Sequence, residues 1–228
     1  MEKPFENHEI NMTGTLNVLH AAKKSGVKRV VFASSAAIYG NDPALPKRED
    51  MRPLPASPYA AGKITGEYYL QIFAQLYGVQ TVSLRYFNVF GPRQDPKSMY
   101  SGVISKFTDD IRAGRAPTIF GDGQQTRDFV FVKDIVQANL KAMRATNAGS
   151  GEAFNIATGQ TSSLLDLLDA LGALTGKKII PQFKDARQGD IKNSSADISR
   201  AKQILNYAPR HTLKSGLEIL LRSSGLLS

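Results

Sequence analysis

Apolar residues recur along this chain with two different periods, and the alternation between them predicts a layered α/β protein. Ile10, Met12, Leu16, Leu19 and Ala22 fall at near-helical spacing within His8 to Ser25, which predicts an amphipathic helix ended by Gly26. Val30-Val31-Phe32-Ala33 follows as an uninterrupted apolar run, the pattern of a strand buried on both faces. From Asn41 to Ala56 the periodicity dissolves, and Pro43, Pro46, Pro53 and Pro55 predict a loop. Helical spacing resumes from Pro58 to Tyr77, with Ser57 as N-cap, Pro58 at the first helical position and Gly78 as the stop. Gln80 to Arg85 then alternates as a strand. Two strands joined through a helix make a parallel crossover, and a helix over Val136 to Met143 leading to a strand at Ala153 to Ile156 repeats the unit. The expected fold class is therefore α/β, with a parallel doubly wound sheet.

The rest of the chain follows a looser order. A helix is expected over Tyr100 to Ala113, and strands near Thr118 to Phe120 and Asp128 to Val132. Leu164 to Leu174 reads as a helix capped by Ser162 or Ser163 and stopped by Gly176. Lys178 to Phe183 reads as a strand, Ile198 to Leu205 as a helix capped by Asp197, and the C-terminal tail as helical. Two insertions of this kind predict a smaller α/β lobe: 1–92 and 128–158 form one domain, 93–127 and 159–228 the other.

Composition narrows the chemistry. With 228 residues, 42% apolar and 21% charged, the chain can bury a full-sized core. No run of about 18 apolar residues and no basic-then-apolar leader is present, so a cytoplasmic protein is expected. The absence of cysteine excludes disulfides and thiolate metal sites, and His8, His20 and His211 lack ligand spacing, so no bound metal is expected. The net charge of +9 comes from scattered lysines and arginines rather than a basic stripe. That distribution suits an anionic small ligand such as a nucleoside diphosphate better than nucleic acid.

The candidate chemistry lies between Val30 and Lys63. Tyr59 and Lys63 stand four residues apart just inside a predicted helix start, so both side chains leave one face. An ammonium beside a phenol, which titrates near ~10 when free, favours the phenolate and so creates a base. The plainer alternative is helix packing with a lysine stem lying along an apolar surface. Ser34 and Ser35 fall at the carboxyl end of the predicted strand, where open α/β sheets place their ligands; their plainer alternative is a polar strand end bonded to backbone.

Taken together, Ser34-Ser35-Ala36-Ala37-Ile38-Tyr39-Gly40, Ser57-Pro58-Tyr59-Ala60 with Lys63, and Arg85-Tyr86-Phe87-Asn88-Val89-Phe90-Gly91-Pro92-Arg93-Gln94 resemble the extended short-chain dehydrogenase/reductases. Gly121-Asp122-Gly123 with Arg127-Asp128-Phe129, and Arg187-Gln188-Gly189-Asp190 with Ala196-Asp197-Ile198-Ser199, continue the match in order. The likeness runs from about Asn11 to the C-terminus and is strongest to the NAD-dependent nucleotide-sugar epimerases, in particular the UDP-N-acetylglucosamine and UDP-glucose 4-epimerases.

That resemblance implies a Rossmann-like sheet with a sugar-nucleotide lobe, NAD as cofactor and a UDP-sugar as substrate. It implies that Tyr59 takes the proton of the sugar 4-hydroxyl while the C4 hydride passes to NAD, that Ser35 hydrogen-bonds the same oxygen, and that Lys63 tunes Tyr59 and binds the nicotinamide ribose. A transient 4-keto sugar then turns over and is reduced on its other face. Ser34, Tyr59, Lys63 and Tyr86 are the implied cofactor contacts, and Ser35, Asn88, Thr118, Phe120, Arg127, Arg187, Asp190 and Ser194 the implied substrate contacts. The arginines suit the diphosphate, Asp190 the nucleoside ribose, and Thr118 and Phe120 the uracil slot. Dehydratases of the superfamily carry an acidic residue where this chain has Ala36-Ala37-Ile38, so epimerisation is expected over dehydration. Ser194 stands where the family places a bulky tyrosine in epimerases restricted to unacetylated sugars, so N-acetylhexosamines are expected to be accepted as well.

The family's opening strand, glycine-rich turn and helix have no counterpart here, and Gly121-x-Gly123 lacks the third glycine and the βαβ context. Met1 is therefore expected to begin roughly 80 to 100 residues late, about half a Rossmann domain, through a real truncation or a misassigned start. On that expectation the 228 residues alone neither hold NAD tightly nor turn over substrate. Family likeness also implies a homodimer through the helix of Tyr59, with Tyr68, Leu70, Ile72 and Phe73 supplying core and interface.

Overall fold

A computed structural model describes residues 3–96, 98, 102–186 and 191–227. These residues divide into two units, each made of three stretches of chain: Met1–Phe87, Val136–Ile156 and Ala196–Ala208 form one, Asn88–Ile135, Ala157–Ser195 and Pro209–Ser228 the other.

The first unit opens with helix α1 (Pro4–His8), a π turn (Glu9–Thr13) and α2 (Gly14–Lys24), ended by Gly26 at φ +66. Of the expected apolar stripe, Leu19 and Ala22 are buried, whereas Ile10 is exposed. Strand β1 (Arg29–Ser35) runs into a 3-10 turn (Ala36–Tyr39). The proline-rich segment leads to α3 (Pro58–Tyr77), whose N-cap Ser57 accepts a hydrogen bond from Ala60 N at 3.1 Å and whose end is Gly78 at φ +68. Next comes β2 (Gln80–Tyr86).

The chain then builds the second unit with β3 (Asn88–Phe90), α4 (Val103–Arg112), β4 (Thr118–Phe120), β5 (Thr126–Arg127) and β6 (Phe129–Phe131). Helix α5 (Val132–Arg144) leads to β7 (Ser150–Ile156), and β1, β2 and β7 form a three-stranded sheet in that order, parallel throughout. The α/β class and the parallel crossovers are thus present. β1 packs under α3 and α2 through Val30, Phe32, Leu16, Leu19, Leu70 and Phe73. A Cβ on Gly66 would stand 2.6 Å from the Phe32 ring, so glycine is what lets α3 lie this close to the strand.

The second unit is completed by β8 (Ser162–Ser163), α6 (Leu164–Thr175), β9 (Gln182–Lys184) and α8 (Leu213–Ser223), while α7 (Ser199–Leu205) belongs to the first. Short two-stranded pairings (β3 with β6, β4 with β9, β5 with β8) surround a core of Phe90, Phe107, Ile119, Phe131, Leu167 and Leu217 among others. Among the boundaries that depart from the expected ones, two show their physical reason plainly. Helix α5 starts at Val132 rather than Val136 because β6 runs straight into it without a cap residue to mark the change. β9 is short because its partner β4 has only three residues to pair with it.

Of the two serines expected to cap α6, Ser163 does so in a capping box, accepting from Asp166 N at 3.0 Å while Asp166 accepts from Ser163 N at 2.8 Å. The Ser163 backbone and hydroxyl hold the Asp166 carboxyl below its usual range. A depressed folded pKa means that this stabilisation is present above the ordinary aspartate value of 3.8 and disappears as pH falls through the folded one. Asp166→Ala is expected to destabilise the fold at about pH 7 by less than the ~1 kcal/mol of a full N-cap, because the carboxylate is exposed and screened by solvent, and by less as pH falls well below 3.8, measured by denaturant unfolding at both ends. An equal cost at the two pH values would show that the carboxylate charge plays no part.

Among the described residues no helix is long and apolar enough to cross a membrane.

Candidate functional site

In the first unit the candidate residues cluster at the carboxyl end of the sheet. Ser35 is the last residue of β1 and pairs in register with Tyr86 of β2. Extended at φ −147, it caps the 3-10 turn by accepting from Ala37 N at 3.1 Å, which leaves the hydroxyl hydrogen to point elsewhere. The neighbouring Ser34 faces the other way and is buried, its hydroxyl donating to Glu67 of α3. Alternation of side chains along a strand thus separates two adjacent serines into an interior one and a half-buried one.

Tyr59 and Lys63 occupy the first turns of α3, both half-buried. The Lys63 ammonium lies 5.5 Å from the centre of the Tyr59 ring and 5.0 Å from that of Phe32 on β1. Burial pushes its pKa down from the ordinary lysine value, and no carboxylate pairs with it among the described residues. A half-buried ammonium without an anion is suited to donate hydrogen bonds to hydroxyl or ribose oxygens. Tyr86 is half-buried at the end of β2, and its hydroxyl exchanges hydrogen bonds with Asn139 of α5 at 2.8 to 3.0 Å. Burial raises its pKa, with Asn139 acting weakly in the opposite direction.

The other candidates belong to the second unit. Asn88 starts β3, pairs with Phe129 and donates its backbone N–H to Asp128 O at 3.2 Å. Thr118 and Phe120 are the two half-buried ends of β4, and Phe120 O accepts from the Gln125 side chain at 2.7 Å. Arg127 Nη1 donates to Thr126 O at 2.9 Å and Lys192 O at 3.2 Å, while Ser194 N donates to the same Thr126 carbonyl at 3.1 Å. Arg127 and Ser194, far apart in sequence, are thereby brought together around residue 126. Arg187 and Asp190 lie outside the described residues.

Two features were not read from the sequence as parts of a site. Glu67 forms a buried ion pair with Arg85, Nη2 to Oε2 at 2.7 Å, beneath the two serines. Its signal was available: Glu67 stands one further turn along the face of Tyr59 and Lys63. Asp128, fully buried, accepts from Thr158 N, Thr158 Oγ1 and Gly159 N at 2.6 to 2.8 Å and so fixes the turn after β7. Only the fold brings 128 beside 158.

Known proteins resemble this chain in sequence and in fold. A UDP-glucose 4-epimerase from Mycolicibacterium smegmatis is 41% identical over 217 residues, 95% of this chain and 68% of that protein. The structure of a UDP-N-acetylglucosamine 4-epimerase from Methanobrevibacter ruminantium, in complex with UDP-N-acetylmuramic acid, superimposes with a TM-score of 0.91 at 38% identity, covering 95% of this chain and 69% of that one. A UDP-glucuronic acid 4-epimerase from Bacillus cereus, in complex with UDP-glucuronic acid and NAD, matches with a TM-score of 0.85 at 31% identity, over 93% of this chain and 66% of the other. Residues 1–157 match the model of the NAD dependent epimerase/dehydratase family. With relatives at this identity and a family match over more than half its length, the chain belongs to the NAD-dependent epimerase/dehydratase family.

Proposed function

We propose that this protein is a nucleotide-sugar 4-epimerase that uses NAD and acts on UDP-sugars, with Tyr59, Lys63 and Ser35 as its catalytic residues. The observation that carries this reading is the Lys63 ammonium, unpaired with any carboxylate among the described residues and seated between the Tyr59 ring and Phe32, on the strand that ends in Ser35. NAD, held by Lys63, Tyr59, Ser34 and Tyr86, would supply hydride-transfer chemistry at the sugar C4. Tyr59 moves the proton of the 4-hydroxyl, Ser35 orients that oxygen through its hydroxyl hydrogen, and Lys63 holds the ribose beside them. Ser34 and Tyr86, whose hydroxyls bond Glu67 and Asn139, define the cofactor edge of the sheet rather than the reacting atoms. In the second lobe, Asn88, Thr118, Phe120, Arg127, Arg187, Asp190 and Ser194 bind the UDP moiety and sugar.

The reaction is tested by supplying NAD with UDP-glucose or UDP-N-acetylglucosamine and resolving the C4 epimers by chromatography. Formation of UDP-galactose or UDP-N-acetylgalactosamine is expected. A dehydrated sugar product would favour the dehydratase reading, against which Ala36 and Ala37 speak by offering no acid for a leaving hydroxyl. A second reading is a chain that holds sugar nucleotides without turnover. Calorimetry separates the two: binding of UDP-sugar with no uptake of NAD would support the second.

Ser194, half-buried and anchored through its backbone to Thr126, governs sugar choice in this reading. Ser194→Tyr is expected to lower kcat/KM for the N-acetylated sugar by about tenfold or more, while the plain sugar changes by no more than about threefold. Equal losses on both would remove Ser194 as the gate.

A cytoplasmic homodimer completes the proposal. Leu70 and Phe73 of α3 are core residues, but Tyr68, Ile72 and Leu76 are exposed at spacings of four along the helix and form an apolar stripe suited to a second copy. Sedimentation as a monomer at micromolar concentration would refute this part.

A further inference from the structure

A buried polar cluster in the first unit holds the turn that presents Ser35. It begins with one row of the sheet: Ser34, Arg85 and Asn155 are register partners on β1, β2 and β7, so their side chains leave the same face. They are 2%, 5% and 0% exposed. Glu67 of α3, 1% exposed, lies against this row, accepting from the Ser34 hydroxyl, from Arg85 Nε at 3.0 Å and from Arg85 Nη2 at 2.7 Å. The other arm of the guanidinium, Nη1, donates to the Tyr39 hydroxyl at 2.9 Å and to Glu49 O at 3.2 Å. Tyr39 in turn donates to Asn155 Oδ1 at 2.7 Å, and the Asn155 amide donates to Lys47 O and Asp197 O.

The protonation states are consistent with this wiring. Burial works against the Arg85 cation, but the hydrogen bonds and charge of Glu67 outweigh it and keep the guanidinium charged. Burial pushes Tyr39 up to about 12, so it stays a phenol that accepts from Arg85 while donating to Asn155. A buried ion pair contributes little stability that apolar residues of the same volume would not, so its effect is sought in the geometry it fixes.

That geometry concerns the site directly. Glu67 lies four residues beyond Lys63 and eight beyond Tyr59, on one face of α3. Ser34 precedes Ser35, and Tyr39 ends the turn that Ser35 caps. Ser35 is therefore flanked on both sides by residues bonded into a cluster whose helical member shares the face of Tyr59. Resting on the reading that Ser35 and Tyr59 perform the proton transfer, we propose that Glu67 and Arg85 are positioning residues that fix the Ser35 turn against the Tyr59 helix.

The test uses the full chain with tyrosines carrying carbon-13 at the ζ position, and Tyr59→Phe identifies the Tyr59 resonance by its loss. Ser34→Ala and Arg85→Lys are expected to shift or split that resonance. Arg29→Lys serves as the control, because Arg29 ties the opposite end of β1 to the carbonyls of Ala142, Ala145 and Ala148 and is expected to lower the melting temperature without moving Tyr59. With NAD and UDP-glucose supplied, both cluster variants are expected to lose about tenfold or more in kcat, with KM changed by no more than about threefold. Should Arg85→Lys fail to fold, Ser34→Ala decides, since it deletes one hydroxyl and leaves the ion pair in place. An unmoved Tyr59 resonance in the folded variants would overturn the proposal. Turnover that survives Tyr59→Phe would instead overturn the catalytic reading beneath it, and the resonance would still decide the positioning.

Discussion

Tyr59→Phe is expected to lower epimerisation by about 10²- to 10⁴-fold, the range lost when a positioned acid or base is removed, while UDP-sugar affinity changes by about twofold at most. Phenylalanine keeps the ring beside which the Lys63 ammonium lies and keeps the packing of the first turn of α3. What it deletes is the hydroxyl proposed to exchange a proton with the sugar. The variant should therefore show its loss in kcat and leave the calorimetric binding constant for UDP-glucose nearly as it was. Turnover within about threefold of the unsubstituted chain would show that another group is the base, and the assignment of Ser35 and Lys63 around it would fail with it.

The second large effect concerns stability. Glu67→Ala is expected to cost about 3–5 kcal/mol, because it leaves the Arg85 guanidinium charged and buried with its principal partner gone. The ion pair's side chains are 6% and 2% exposed, so water cannot replace the missing carboxylate without opening the sheet. Glu67→Leu combined with Arg85→Leu removes both charges and is expected to recover most of that loss in denaturant unfolding. The same double variant should remain slow as an enzyme, since apolar side chains cannot hold Ser34 or Tyr39. A double variant no more stable than Glu67→Ala would mean that the pair contributes directly to stability, through bonds an apolar replacement cannot mimic.

Much of this architecture was legible because its elements are punctuated. Ser57, Pro58 and Gly78 bracket α3, Ser163 and Gly176 bracket α6, and each acts through the physical role that marks it: an oxygen that caps, a ring that sets φ, a backbone free to turn left-handed. Elements without punctuation were harder to delimit. Helix α5 follows β6 with no cap between them, and β9 takes its length from pairing with β4, which is information held elsewhere in the chain. The site divides along the same line. Tyr59 and Lys63 are neighbours on one helix, so spacing alone pairs them, and Ser35 was placed by the end of its strand. Glu67 and Arg85 carry charges that ordinarily face water; helical spacing puts Glu67 on the face of Tyr59 and Lys63, but nothing local to Arg85 says that it meets Glu67 inside. The meeting of Arg127 and Ser194 at Thr126 depends likewise on a pairing made across the chain.

The order in which the chain is made bears on how it can fold. The first unit takes its last stretch from Ala196–Ala208, where Asp197 N donates to Lys47 O at 2.9 Å, and the second waits for Pro209–Ser228, which brings the core residues Leu217, Leu220 and Leu221. A ribosome that has released the residues up to Phe87 has supplied β1, α3 and β2, but not β7, which must cover the far side of β2, nor the residues that bond back to Lys47. The first unit can therefore close only once Ala196–Ala208 has emerged and the second only once Pro209–Ser228 has, and β2 is left with one flank unpaired while more than 60 residues are added. Until β7 arrives, Val82 and Leu84, later wholly buried, lack the strand that completes their surroundings, an interval in which exposed apolar surface favours association over folding.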